Sequence, residues 1–315
     1  MPGIGIVTNP NSRRNRRHPE QMQRLGFILG RDHRRHEMTR SPEDVYEVAR
    51  RFLDERVDIL ALNGGDGTNH VTLTTFIEVY GAQPLPKIAF LRGGTMNTIA
   101  NSIGIRGTPG DILLNITEKY HLAQPFETSS RHILGVRADD HTHYGFIFGN
   151  GMAANFLRAY YDTGNPTPWT AFTTMMKTIG SALTRGEFAQ DLFRRFEATV
   201  TLDGQPWPAT SFTTILASSI EQFGLGFRPT YRCRERHGAF HALGFTIGMS
   251  DVAFVLPRVR LGQPLDPKKV LSDVCASMKI ESDRPITYAL DGDIHTTEGN
   301  SMEVFAGPSL EVIVQ

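Results

Sequence analysis

Cysteine is scarce in this chain: Cys233 and Cys275 are the only two among 315 residues. They stand far apart and at no metal-ligand spacing, which excludes a disulfide framework and a cysteine-built metal site, and fits a reducing compartment. Net charge is lacking too. The 33 Lys and Arg residues balance 33 Asp and Glu, so no overall field draws the molecule to nucleic acid, and any pull toward an anionic bilayer must come from a local patch. Nowhere does the sequence approach the roughly 18 uninterrupted apolar residues of a membrane-spanning helix. The start, Met1-Pro2-Gly3-Ile4-Gly5-Ile6-Val7, lacks the charged residues, apolar run and small-residue cleavage site of an export signal. These absences lead to the expectation of a cytoplasmic protein without nucleic-acid partners. What is present is an ordinary globular composition, 40% hydrophobic and 21% charged, at a length that suits two domains.

The first part of the chain alternates short apolar runs with helical patterns. Gly3–Val7 reads as a buried strand stopped by Thr8-Asn9-Pro10. Ser41-Pro42-Glu43-Asp44 opens a helix, with Ser41 as cap, Pro42 in the first turn and Asp44 completing a capping box. Asp58–Leu62 and Lys87–Leu91 are strands that run into glycines, and Thr68–Tyr80 and Thr95–Ser102 are the helices that follow them. This order predicts a Rossmann-like parallel sheet with crossover helices, whose ligands bind at the carboxyl ends of the strands. After about residue 125 the style changes to alternating strands such as Phe196–Leu202, which ends in the hairpin signal Asp203-Gly204. We therefore expect an α/β domain over 1–125 and a β-rich antiparallel domain over 126–315.

Two glycine loops carry the chemistry. In Asn63-Gly64-Gly65-Asp66-Gly67-Thr68-Asn69 a strand leads in and a helix leads out. Glycines there admit close backbone approach and positive φ, and the free amides at the helix start favour a phosphate. A carboxylate at Asp66 repels a polyphosphate unless a cation lies between them, which points to Mg²⁺. Arg92-Gly93-Gly94-Thr95-Met96-Asn97 repeats the setting one strand away, so the two loops can grip one nucleotide.

In these residues the chain resembles the diacylglycerol kinase catalytic-domain family, which includes bacterial lipid kinases and sphingosine and ceramide kinases. Thr8-Asn9-Pro10-Asn11-Ser12 is similar to its Asn-Pro-x-Ser motif, Gly64–Thr68 is its GGDGT signature, and Gly94-Thr95-Met96-Asn97 resembles its second loop. Asn150-Gly151, Trp169–Thr184 and Gly224–Pro229 follow its later layout, and Asp291-Gly292-Asp293 is similar to its Asp-Gly-Glu motif. The resemblance implies an NAD-kinase/diacylglycerol-kinase type α/β domain followed by a β-sandwich that binds the acceptor. It implies ATP held by Asn9, Asn11, Ser12, Thr39, Gly64, Gly65, Asp66, Gly67, Thr68, Asn69, Gly94, Thr95 and Asn97, with Mg²⁺ at Asp66. Asp293 becomes the catalytic base, a lipid in an interdomain cleft the acceptor, and a homodimer and reversible peripheral membrane contact fit the family. Four places depart from the pattern: Arg13 follows Ser12 where a glycine is usual, Thr98 replaces an aspartate, Asp293 replaces a glutamate, and Glu235-Arg236-His237-Gly238 replaces an aspartate-rich metal loop.

Other features have two readings. The basic run Arg13, Arg14, Arg16 and Arg17, like Arg31, Arg34 and Arg35, is a solvated surface or a grip for ATP phosphate or an anionic membrane. Trp169, Phe172, Met175, Met176 and Ile179 form a helical stripe, read first as core packing and second as one wall of a lipid cleft. His141 and His143 alternate as metal pairs do, without a third ligand in sight. Two other functions share the motif: a soluble NAD-kinase-like phosphotransferase, for which the Asn-Asp nicotinamide pattern is missing, and a non-catalytic nucleotide or lipid sensor.

Overall fold

The computed structural model describes residues 3–30, 35–164, 167–184 and 186–314. Arg31 and Arg34 of the second basic run lie outside the described residues. The chain forms two compact units: the residues up to Arg131 joined by the segment from Ser309 onward, and His132–Pro308.

The first unit runs β1 (Ile4–Thr8), α1 (Arg13–Arg17), α2 (Pro19–Leu29), β2 (His36–Met38), α3 (Pro42–Asp54), β3 (Ile59–Asn63), α4 (Asp66–Tyr80), β4 (Lys87–Phe90), α5 (Thr98–Ser102) and α6 (Pro109–His121). Its strands lie in the order β4-β3-β1-β2 and all pair in parallel. Every residue of β1 and β3 is buried, as expected of central parallel strands covered on both faces. The helix α3 starts with the anticipated capping box between Ser41 and Asp44. It lays Val45, Val48, Ala49 and Phe52 inward, and Phe52 meets Phe76 of α4 edge-on at 6.1 Å. The α6 helix, which sequence reading passed over, opens with a second capping box, Thr108 with Asp111.

The second unit carries β5 (Thr128–Ala138), β6 (His141–Gly145), β7 (Ile147–Asn150), α7 (Met152–Tyr161), α8 (Pro168–Thr184), α9 (Glu187–Leu192), β8 (Phe196–Leu202), β9 (Gln205–Pro206), β10 (Ser211–Phe212), β11 (Thr214–Ser218), β12 (Phe240–Phe245), α10 (Val252–Leu261), β13 (Val270–Cys275), β14 (Ser277–Ser282), β15 (Thr287–Leu290), β16 (Asp293–Thr296) and β17 (Ser301–Ile313). β5 enters from the first unit and β17 returns to it. One antiparallel sheet has the order β13-β12-β11-β7-β15-β16. A second is built on β8, β14 and β17, also antiparallel. Phe148, Ile215 and Tyr288 of the first sheet share one core with Val200, Met278 and Val304 of the second, so the unit is a β-sandwich.

The helix α8 follows the expected core stripe only in part: Ile179 packs against a core cluster and Met175 is half-buried. Its buried positions are small, Ala171, Thr174, Thr178 and Ala182, while Trp169, Phe172 and Met176 are exposed. Small residues let the helix lie close to the core that Ala182 shares with Leu243 and Phe245, and Trp169, Phe172 and Met176 are left outside. No helix among the described residues is long and apolar enough to cross a membrane.

Candidate active site

The carboxyl ends of β1, β3 and β4 place three loops side by side in the first unit. Asn9 holds the first two together. Its side-chain amide donates to Thr68 Oγ1 at 3.0 Å and its side-chain oxygen accepts from the Asn11 amide at 2.8 Å. Asn15, buried within α1, donates to the carbonyls of Asn9 at 2.8 Å and Asn63 at 3.1 Å. Sequence reading missed Asn15; its only signal was an uncharged amide inside an arginine run. Ser12 reaches across to the Gly93 carbonyl at 3.1 Å. Thr39, buried at the end of β2, donates its backbone amide to Thr8 O at 2.9 Å.

The two glycine loops meet backbone to backbone. A Cβ on Gly94 would stand 2.4 Å from Gly65 Cα, and one on Gly93 2.4 Å from Asn63 Oδ1 and 2.9 Å from the Gly64 amide nitrogen. This differs from the expected role of the GGDGT glycines: none of Gly64, Gly65 and Gly67 has positive φ, because the strand passes straight into the helix and steric room, not handedness, is what the loop requires. The left-handed residues are in the second loop, Arg92 at φ 61° and Asn97 at φ 48°. Asn97 clasps Gly94 both ways, accepting from its amide and donating to its carbonyl, each at 3.0 Å. That clasp keeps residues 95–97 out of the helix, so α5 begins at Thr98 rather than at Thr95. Thr95 itself is exposed on this loop.

Asp66 joins the loops electrostatically. Its carboxylate accepts from the amides of Thr98 at 3.0 Å and Ile99 at 3.4 Å, capping the bare start of α5. Burial raises its pKa from the ordinary 3.8, and these amides and the Thr98 hydroxyl pull it part of the way back. Three of its four lone pairs are thereby engaged, which leaves one for a further partner. Asn69, three residues on along α4, is buried with its side-chain oxygen unpartnered. One carboxylate and one amide oxygen on the first turn of α4 suit a Mg²⁺ ion whose remaining ligands are phosphate oxygens and water. Among the described residues no group of three His, Cys, Asp or Glu side chains could hold a metal alone.

The surroundings favour an anion. Gly65 precedes α4 without a side-chain cap, so the first amides of a 15-residue helix are open to one. Arg92, half-buried, donates to Asn101 Oδ1 at 2.7 Å and to the Ile105 carbonyl, while Arg14 lies over the Arg92 carbonyl at 3.5 Å. Burial, and then the like charge of Arg14, push the Arg92 pKa down. An anion between Arg14 and Arg92 would relieve that repulsion.

In the second unit Asp291 and Gly292 form the two-residue turn between β15 and β16, with Leu290 opposite Asp293. Both turn residues have positive φ, 49° and 104°, as a type I′ hairpin demands. Asp291 is buried and accepts three hydrogen bonds, two from the Phe146 amide at 3.0 and 2.9 Å and one from the Ile147 amide at 2.8 Å. Its role is to fix the hairpin to β7. Asp293, the first residue of β16, is half-buried, and Tyr161 braces the turn by donating to the Gly292 carbonyl at 2.9 Å. His143 stacks on His295 at 4.8 Å and His295 on Tyr288 at 5.2 Å. Glu235 and Arg236 are tied up in ion pairs, with Arg232 at 2.9 Å and Asp203 at 2.8 Å.

Residues 4–124 match the diacylglycerol kinase catalytic domain. No curated protein matches the chain. Among solved structures, a diacylglycerol kinase from Bacillus anthracis strain Sterne is similar over 100% of this chain and 97% of its own, at 15% identity and TM-score 0.65. Another structure from that strain gives TM-score 0.69 at 14% identity with the same coverage. Yeast NADH kinase complexed with NADH is similar over 100% of this chain and 84% of its own, at 11% identity and TM-score 0.53.

Proposed function

We propose, from the match of residues 4–124 to the diacylglycerol kinase catalytic domain, that the protein is an ATP- and Mg²⁺-dependent lipid kinase that phosphorylates a hydroxyl of diacylglycerol, a sphingoid base or a related lipid. The observation that carries the reading is the joint made by the two glycine loops, where the uncapped start of α4 lies against the second loop and Asp66 bridges to the start of α5. Phosphoryl transfer asks the protein chiefly for positioning and charge stabilisation. The α4 amides and the two arginines bind and orient the polyphosphate. Asp66 and Asn69 are the residues that would hold Mg²⁺, which when bound offsets phosphate charge. The Asn9–Thr68 and Asn97–Gly94 bonds keep the loops in one geometry without a ligand's help. Asp293 takes the proton of the acceptor hydroxyl. Its side chain is about 1.5 Å shorter than the family's glutamate, and the tight turn behind it, braced by Asp291 and Tyr161, makes its position well defined.

The test is transfer of label from ATP with Mg²⁺ to mixed micelles of candidate lipids, with NAD present as a second acceptor. A labelled lipid supports the reading. Label on NAD alone assigns the soluble branch, and nucleotide binding without any product assigns the sensor. Asp293→Asn should lower turnover by about 10²–10⁴-fold with nucleotide affinity unchanged; near-normal turnover would remove Asp293 from the mechanism.

A further inference from the structure

In the second unit, α8 and α10 are packed together and concentrate exposed apolar surface. Of the eleven exposed large hydrophobic residues described, five lie on these helices of 17 and 10 residues: Trp169, Phe172 and Met176 on α8, Phe254 and Leu261 on α10. Trp169 is 70% and Phe254 77% exposed, and Trp169 stacks on Phe172 at 5.6 Å. Neither helix contains a carboxylate, in a chain with 33 of them. The charges they do carry are all positive: Lys177, Arg258 and Arg260. Beside this face is an open cavity of about 380 Å³ lined by Gln222, Gly226, Arg228, Arg260 and Leu261. One Arg260 nitrogen donates to the Gly226 carbonyl at 2.6 Å. Neither Arg228 nor Arg260 has a carboxylate partner among the described ion pairs.

From this we infer that the α8–α10 face is a membrane-docking surface, which inserts its aromatic and aliphatic side chains into the headgroup–acyl boundary and receives an anionic phospholipid headgroup between Arg228 and Arg260. The charge pattern selects this occupant. A protein partner with an apolar face would leave the cation-lined cavity unanswered, whereas an anionic bilayer offers acyl chains to Trp169 and Phe254 and phosphate to the arginines at one boundary. Apolar insertion should make the contact only partly salt-sensitive, in contrast to attachment by the Arg13–Arg17 run alone. In purpose the inference rests on the lipid-kinase reading, since it brings the enzyme to its acceptor. The binding itself requires no catalysis, so it is tested apart.

Tryptophan provides the probe. The chain has two, Trp169 on the face and Trp207, which is 8% exposed and donates to Asp273 at 2.8 Å. Full-length protein is mixed with vesicles of phosphatidylcholine, with or without phosphatidylglycerol, and followed by flotation and by quenching from brominated acyl chains. Flotation with the phosphatidylglycerol vesicles is expected, together with a blue shift and quenching that Trp169→Phe abolishes. Phe254→Ser with Leu261→Ser should weaken binding at least about ten-fold, and Arg228→Ala or Arg260→Ala about five-fold each. Unchanged circular dichroism and thermal unfolding verify that the variants fold. Absence of flotation, flotation indifferent to the Phe254 and Leu261 changes, or a Trp169 blue shift that grows with protein concentration without vesicles would each overturn the inference, the last by assigning the face to self-association. Kinase assay on a water-soluble short-chain acceptor reads the enzyme separately.

Discussion

Gly94→Ala and Gly65→Ala touch the same loop joint from opposite sides and should behave differently. The methyl introduced by Gly94→Ala would stand 2.4 Å from Gly65 Cα, 3.1 Å from Asn97 Oδ1 and 3.2 Å from the Gly65 nitrogen. Non-bonded carbons settle at about 3.5–4.0 Å, so the loops must part by more than about 1 Å, and the nearest atoms in the way are backbone. Overpacking of this kind costs about 1–3 kcal/mol. The methyl introduced by Gly65→Ala would have Gly94 Cα at 3.5 Å as its nearest neighbour, an ordinary contact, and Gly65 has an unstrained φ of −93°. Its expected cost is below about 1 kcal/mol, from replacing glycine at a helix cap. Urea unfolding, read by probes in each unit because two units need not unfold together, gives the stabilities, and nucleotide titration gives the affinity. Gly94→Ala should destabilise the first unit and weaken nucleotide binding by about ten-fold or more as Asp66 is drawn away from Thr98. Equal effects of the two variants on stability, or a Gly94→Ala protein with native stability and affinity, would refute the backbone-to-backbone joint.

Further outcomes follow from other contacts. Asp291→Ala strips three carboxylate hydrogen bonds from the buried amides of Phe146 and Ile147 and should cost more than about 3 kcal/mol, measured as a fall in the second unit's unfolding midpoint; a small loss would mean that the hairpin is held some other way. Asn97→Ala loses both bonds to Gly94 and puts a methyl side chain at φ 48°. It should destabilise the first unit by about 2–3 kcal/mol, whereas Asn97→Gly should recover about 1 kcal/mol by relieving the left-handed strain. His241 is fully buried and held below its ordinary 6.5 to about 4, by burial first and the nearby Arg232 second. The unfolded chain therefore binds the extra proton between those values, and stability should fall by about 3 kcal/mol as pH drops through that window. His241→Asn should flatten that part of the stability–pH curve, and an unchanged curve would locate the acid sensitivity elsewhere.

What could be read in advance were signals confined to a few neighbouring residues. Ser41-Pro42-x-Asp44 specified its own cap, and the strand–glycine–helix order located the loops of the first unit. Contacts across the fold were not legible. Asp66 looked like a phosphate-side carboxylate, yet its amide partners are far along the chain at Thr98 and Ile99. The α8 stripe had the period of a buried face, and periodicity cannot say which side of a helix meets the protein; Ala171, Thr174, Thr178 and Ala182 repeat just as regularly. The helix α1 was hidden because four of its five residues are arginine, a composition that says surface before it says helix. Strand β13 interrupts its apolar residues with Ser272 and Asp273 and so resembles a loop, whereas β14 alternates polar and apolar residues from Ser277 to Glu281 as Phe196–Leu202 does. The Thr108-Pro109-Gly110-Asp111 cap of α6 has the same local form as Ser41-Pro42-x-Asp44.

The path of β17 bears on how the protein is made. Its last residues pair with β4 through Val312 beside Ile88, and the Val314 amide bonds to the Glu127 carbonyl at 2.9 Å. The outer edge of β4 therefore stays open during synthesis until Val312 has emerged from the ribosome. A growing chain holds a finished set of glycine loops beside an unfinished sheet, and an open parallel edge invites pairing with other chains. A fragment cut after residue 131 would keep that edge permanently. Proteolysis or a frameshift close to residue 309 would strike the first unit, not only the sandwich that precedes it in the chain.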